Sequence, residues 1–109
     1  EEYEVKEGKG VKVTINLVDK GGNVVANNTP ADIDIEVTDL DDYFEFRLTE
    51  TGPAQGEPLS VAIAPGKSSV SFWVVAQDGT APNTGELEIT AADVNLPVDP
   101  TVDINILEP

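Results

Sequence analysis

Residues 32–46 read DIDIEVTDLDDYFEF, and this stretch holds both a clear structural signal and a dense group of acids. Its first half alternates acidic residues with β-branched ones, and a period of two is typical of a strand with one buried and one solvated face. The aromatic half alternates again and predicts Phe44, Phe46 and Leu48 on one side. The stretch therefore predicts two strands joined by an acidic turn.

The same alternation recurs along the chain. Seven runs have it, at residues 11–18, 32–38, 43–49, 59–64, 70–77, 87–91 and 102–107, and residues 2–6 fit an eighth strand at a sheet edge. None of the eight prolines falls inside a run, as expected where a missing N–H would break a sheet ladder. The longest irregular stretches are 50–57 and 78–85. No window has a helical stripe, so the pattern predicts an all-β, two-sheet antiparallel sandwich of seven to eight strands.

The composition limits the classes of partner and of chemistry. The net charge is −15, from 21 acidic against 6 basic residues, and such a field repels phosphate backbones and anionic lipid. Nucleic acid and membrane surfaces are therefore not expected as partners. The chain has no cysteine and no histidine, which excludes disulfides, thiol chemistry and the usual zinc ligands.

The length predicts one domain over residues 1–109, with a core large enough to fold by itself. The sequence contains no methionine, even at position 1. We therefore expect a module excised from a larger protein, monomeric in isolation, whose first partners are the neighbouring domains of the same chain.

Three stretches together resemble bacterial immunoglobulin-like repeats. Residues 11–37 resemble the second and third strands of such repeats, and residues 18–25 match their Val-x-Asp-x-x-Gly-Asn-x-Val turn apart from the spacing at the two glycines. Residues 66–77 and 85–94 resemble the later strand pair, with its Ile-Thr-Ala ending. The resemblance implies an immunoglobulin-like sandwich from a secreted or cell-surface bacterial protein. Relatives serve as spacers in adhesins, surface-layer proteins and modular polysaccharide-degrading enzymes.

No arrangement of residues indicates catalysis. The serines have no histidine to activate them and no glycine-rich elbow around them. A carboxylate pair for glycoside hydrolysis needs a cleft between two acids, which a small sandwich rarely encloses. We therefore expect no enzyme activity.

A polysaccharide-binding face is one candidate site. Strand alternation directs Trp73 away from Phe72 and directs Tyr43 away from Phe44, so both could be exposed aromatics on which sugars stack. The alternative is that Trp73 is buried under a loop, because a large indole needs only one hydrogen-bond partner inside a protein.

The acids of the turn are the other candidate site. Asp39, Asp41 and Asp42 lie between two predicted strands, where aspartate is favoured because it bonds its own backbone. Calcium also binds several carboxylates on one loop, although the glycine and distal glutamate of a helix–loop–helix calcium site are missing. Turn and calcium site both remain open at this point. Arg47 or a nearby lysine is expected to relieve the repulsion within residues 32–36.

Residues 27–29, Asn-Asn-Thr, match a glycosylation acceptor at Asn27 in a predicted turn, although three-residue matches also arise by chance. Taken together, the sequence predicts a non-catalytic structural or spacer module, extracellular or at a cell surface. The alternatives are a carbohydrate-binding module using the exposed aromatics and a calcium-dependent adhesive module.

Overall fold

The computed structural model describes residues 2–91 and 101–109. Within these residues the chain forms nine β-strands and no helix. The strands are β1 (Glu2–Lys6), β2 (Gly10–Asn16), β3 (Ile33–Asp39), β4 (Phe44–Arg47), β5 (Ala54–Gln55), β6 (Leu59–Ile63), β7 (Ser69–Ala76), β8 (Asn83–Ala91) and β9 (Thr101–Leu107). All eight strands expected from the alternation are present.

The strands form two sheets. One has the order β1-β9-β8-β3-β6 and the other the order β2-β7-β4-β5. Strands β2 and β7 pair in the second sheet, while the strands that follow them, β3 and β8, pair in the first. This interlocked crossing between two facing sheets defines an immunoglobulin-like β-sandwich, and the predicted fold class is confirmed. Only the pair β1–β9 is parallel among the described strand pairs.

The core lies between the sheets and is built from the inward side of the alternation. Phe46 and Phe72 meet edge to face at its centre, with their ring centroids 6.1 Å apart. The buried apolar residues are Val5, Val13, Ile15, Leu17, Ile33, Ile35, Val37, Phe44, Phe46, Leu59, Ile63, Phe72, Val74, Ala76, Leu87, Ile89, Val102, Ile104 and Ile106.

Three expectations for residues 43–57 were wrong. Leu48 is 52% exposed, because β4 ends at Arg47 and Leu48 no longer follows the strand alternation. The irregular stretch 50–57 contains the short strand β5, which pairs with β4. The third expectation was that Arg47 relieves the repulsion within residues 32–36. Its guanidinium instead binds the carboxylate of Glu45, with Nε 2.8 Å from Oε2. Arg47 also lies in the four-stranded sheet, whereas the acids of β3 lie in the five-stranded one.

Turns and prolines lie where the sequence predicts them. Asp19 Oδ1 accepts the N–H groups of Gly21 and Asn23, both at 2.9 Å, and Gly22 takes the left-handed conformation with φ +84°. In the described residues every proline is outside the strands, namely Pro30, Pro53, Pro58, Pro65, Pro82 and Pro109. The prolines at 97 and 100, and part of the 85–94 stretch, lie outside the described residues.

Candidate functional site

The carboxylate of Asp39 organises the acidic turn. Asp39 is the last residue of β3 and continues its inward side, so the side chain is only 7% exposed. Its Oδ1 accepts the backbone N–H groups of Asp41 at 3.1 Å and Asp42 at 3.0 Å, and its Oδ2 accepts that of Phe44 at 2.8 Å. One carboxylate thus satisfies three N–H groups where the chain turns from one sheet to the other.

Two further acids attach this turn to its surroundings. Glu57 Oε1 accepts the backbone N–H of Asp39 at 2.7 Å, and Asp41 Oδ2 accepts that of Glu86 on β8 at 2.8 Å. Asp42 adopts φ 58°, a left-handed conformation that Asp and Asn tolerate better than most residues. Hydrogen bonds between side chains and the backbone therefore hold the turn internally, to Glu57 and to β8.

The three acids predicted as a calcium site do not converge. Asp39, Asp42 and Glu57 each place one carboxylate oxygen within 4.8 Å of the others. Asp41 is not part of this group. The three residues could offer three oxygens of the six to eight that calcium takes, while both oxygens of Asp39 already accept backbone N–H groups. Calcium binding stays the untested alternative to a purely structural turn, and the acids that come together for it are Asp39, Asp42 and Glu57.

Burial changes the acid–base behaviour of Asp39. Removal from water raises the pKa of this carboxyl above its ordinary value of 3.8, and the negative charge of Glu57 raises it further. The hydrogen bonds from Phe44, Asp41 and Asp42 act in the opposite direction but are outweighed. The folded chain therefore binds a proton at Asp39 more tightly than a solvated aspartate does.

The two aromatics predicted as a sugar platform have different surroundings. Trp73 is half-buried on the outer side of the four-stranded sheet, where the register sets it between Lys12 and Arg47. A Cβ at Gly10 would lie 3.5 Å from Trp73 Cε3, so the indole lies against the glycine on the neighbouring strand. On the same face Thr14 pairs with Ser71, and their hydroxyl oxygens lie 2.9 Å apart.

Tyr43 is held at the end of the sandwich. It precedes β4, packs against the core, and meets Phe44 edge to face with centroids 6.3 Å apart. Its backbone carbonyl accepts the N–H of Gln77, which directly follows β7 and lies four residues beyond Trp73, a separation of about 13 Å. The structure therefore does not bring Tyr43 and Trp73 together into one platform.

Asn27 has a structural role that the sequence did not indicate. It is 1% exposed, and its side-chain amide donates to the carbonyls of Ala31 and Ile63, both at 2.9 Å. Its Oδ1 accepts the N–H of Thr29 at 3.0 Å. These bonds join the loop before β3 to the end of β6, so the folded chain offers no free amide at Asn27 for glycosylation.

No protein-family model matches the sequence, and no curated protein matches it. The fold is similar to a solved structure of SSP-19, an MSP-domain protein like family member in Caenorhabditis elegans, with a TM-score of 0.48 and 12% sequence identity over 96% of this chain and 92% of that one. At this identity the similarity concerns the fold alone. The described residues contain no helix with the length and hydropathy of a membrane span.

Proposed function

We propose that this chain is a non-catalytic structural module that holds neighbouring domains at a fixed separation and bears tension between them. The observation that supports this role is the parallel pairing of β1 and β9, in which Glu2 lies beside Asp103 and Lys6 beside Leu107. Because the two strands run in the same direction, the chain enters at one end of the sheet and leaves towards the other. Measured along the strands, the entry of the chain beside Asp103 and its exit at Leu107 are about 13 Å apart.

This geometry suits a chain that is pulled from both sides. A force along the strands slides β1 against β9, so the hydrogen bonds over five register pairs carry the load together. A hairpin pulled apart from its open end breaks its bonds one at a time. The shearing arrangement therefore raises the activation barrier to unfolding. Resistance to force depends on this barrier because it sets the rate of unfolding.

The interior also fits a rigid spacer. Every buried side-chain nitrogen and oxygen atom in the described residues has a hydrogen-bond partner. A spacer that is to keep its length must hold one conformation, and a fully bonded interior favours a single packing. The resemblance to bacterial immunoglobulin-like repeats supports an extracellular or cell-surface setting as part of the same proposal.

A carbohydrate-binding role is the second candidate. The observation that favours it is the position of the Trp73 indole, which lies against Gly10 on an outer sheet face. Sugars stack on such aromatic faces. Because Tyr43 lies away from Trp73, Trp73 is the one aromatic of the predicted pair that remains for stacking a sugar.

The spacer role is tested by inserting the chain between two fluorescent reporter domains and measuring their separation by single-molecule energy transfer. A flexible Gly/Ser linker of equal length is the control, since it samples a broad range of end-to-end distances. We expect one narrow distribution for the folded chain. A distribution as broad as that of the linker would contradict the proposal.

A further inference from the structure

Strand β6 forms an open edge of the five-stranded sheet. Within the described residues it pairs only with β3. The N–H of Leu40 donates to the carbonyl of Glu86 on β8, so even-numbered residues of β3 face β8 and odd-numbered ones face β6. By the register, the backbone N–H and C=O groups of Ser60 and Ala62 then point away from the sheet.

The other three sheet edges in the described residues are protected. The outer side of β1 carries charged residues, and β5 has only two residues. On β2 the outward backbone groups lie at even-numbered residues, among them the charged Lys12 and Thr14, whose N–H donates to the Tyr3 hydroxyl at 3.2 Å and whose carbonyl accepts from the same hydroxyl at 3.5 Å. Charges, short length and side-chain capping are the usual defences of an edge strand.

The edge of β6 has neither charge nor cap. Its outer side presents Ser60, which is exposed, and Ala62, which is half-buried. Within residues 2–91 and 101–109 no side chain bonds to the outward N–H and C=O groups of these two residues. Pro58 and Pro65 limit the strand to five residues, which is long enough to pair with one added strand. Backbone geometry alone therefore makes β6 a place where an extended segment could be added.

The next strand supplies the charge that selects the partner. Asp34 lies beside Ala62 and Glu36 beside Ser60, and both acids are exposed without an ion-pair partner in the described part of the chain. The small side chains of Ser60 and Ala62 leave these carboxylates within reach of a long side chain from an added strand. We propose that the β6 edge binds an extended basic segment of another polypeptide, whose lysines or arginines reach Asp34 and Glu36.

A second copy of this chain fits the edge poorly. Pairing β6 with its own copy would bring together two outer faces that both carry Asp34 and Glu36. Each chain also carries a net charge of −15, so association between copies is opposed by repulsion. An extended segment with basic residues at alternate positions meets both the backbone groups and the charges.

The test uses a capped peptide of about eight residues in which lysine alternates with valine, added to the labelled protein while amide shifts and fluorescence anisotropy are recorded. We expect saturable binding, with the largest shifts at Ser60 and Ala62. A control peptide of the same sequence is N-methylated at alternate residues, so that it keeps the charge but cannot pair as a strand. Its affinity is expected to be lower by about tenfold, since it loses backbone hydrogen bonds.

Two variants complete the test. Ala62→Lys places a charge on the open edge beside Asp34, where it should block the peptide and leave the fold intact. The matched variant Ala54→Lys adds the same charge at an exposed position on β5, an edge of the other sheet, and should bind as the parent chain does. Equal binding of the methylated peptide, equal binding by Ala62→Lys, or no binding at all would overturn the proposal. So would dimerisation of the chain through β6.

Discussion

The backbone N–H of Asp39 donates to Glu57 Oε1 at 2.7 Å. The ladder between β3 and β6 ends where Val37 pairs with Leu59, so Asp39 extends past the last residue of its partner strand. The Glu57 carboxylate accepts the N–H that a longer strand would have bound. Together with the bonds that the Asp39 carboxylate accepts from the turn, this gives Asp39 and Glu57 a structural role as acceptors of backbone N–H groups.

Removal of the Asp39 carboxylate should destabilise the fold. In Asp39→Ala the buried N–H of Phe44 loses its acceptor, and the free energy of unfolding is expected to fall by about 1–3 kcal/mol. The control is Asp34→Ala, which removes the same charge from an exposed position and should change stability by less than about 0.5 kcal/mol. Urea melts measure both. Equal losses would mean that the turn does not depend on Asp39.

Acid should stabilise the parent chain relative to Asp39→Asn. Because burial raises the pKa of Asp39 in the folded state, the folded chain keeps a proton that the unfolded chain has released between the ordinary pKa of 3.8 and the raised value. Stability contributed by this group therefore increases as the pH falls through that window. The asparagine variant cannot titrate at this position and controls for the general relief of negative charge.

Thermal melts of the two chains from neutral pH down to pH 4 provide the measurement. The difference between their stabilities should move in favour of the parent chain as the pH falls. A difference that stays constant, or that moves towards the variant, would contradict a raised pKa at Asp39.

Calcium should stabilise the chain no more than magnesium does. Added salt screens the repulsion of a chain with net charge −15, so calcium chloride and magnesium chloride should raise the melting temperature equally, with sodium chloride of matched ionic strength as the control for screening. A calcium ion that bound only the folded chain would raise the melting temperature further, by mass action.

The matched variants for the calcium test are Asp42→Asn and Asp78→Asn. Asparagine tolerates the left-handed conformation of Asp42, so the fold should persist, and Asp78 is an exposed aspartate in another loop. A calcium-specific rise that Asp42→Asn abolishes and Asp78→Asn retains would show that the group of Asp39, Asp42 and Glu57 is a metal site.

Much of the fold could be predicted because the alternation of residues is visible in the sequence. The burial of Asp39 could also have been read from it, since position 39 continues the inward series of Ile33, Ile35 and Val37. The part played by Glu57 could not. It follows from the pairing of β6 with β3, which depends on where each strand ends, and nothing in the local sequence specifies that contact.

Trp73 and Tyr43 also show how far strand alternation predicts the direction of a side chain. Alternation correctly directed Trp73 to an outer sheet face because the residue lies within a long regular strand. Tyr43 precedes β4, where alternation no longer fixes direction, and it packs towards Phe44 and the core. A Cβ at Gly85 on β8 would lie 3.2 Å from the Tyr43 ring, a contact between residues 42 positions apart that only the folded chain reveals.

Trp73 should not respond to soluble polysaccharides. It is half-buried against Gly10, and one aromatic offers little stacking surface. Its emission, the only tryptophan signal of the chain, is expected to stay constant during titration with neutral and acidic polysaccharides. A saturable shift with either kind of polysaccharide would instead support the carbohydrate-binding alternative.

The most direct test of a tension-bearing role is to pull the chain from its two ends in a single-molecule force experiment. Val5→Ala on β1 and Val37→Ala on β3 remove the same two methyl groups from buried positions, and each should lower equilibrium stability by about 2 kcal/mol. If the parallel pair β1–β9 carries the load, Val5→Ala should lower the unfolding force clearly more than Val37→Ala. Equal reductions, or a larger one for Val37→Ala, would contradict that role.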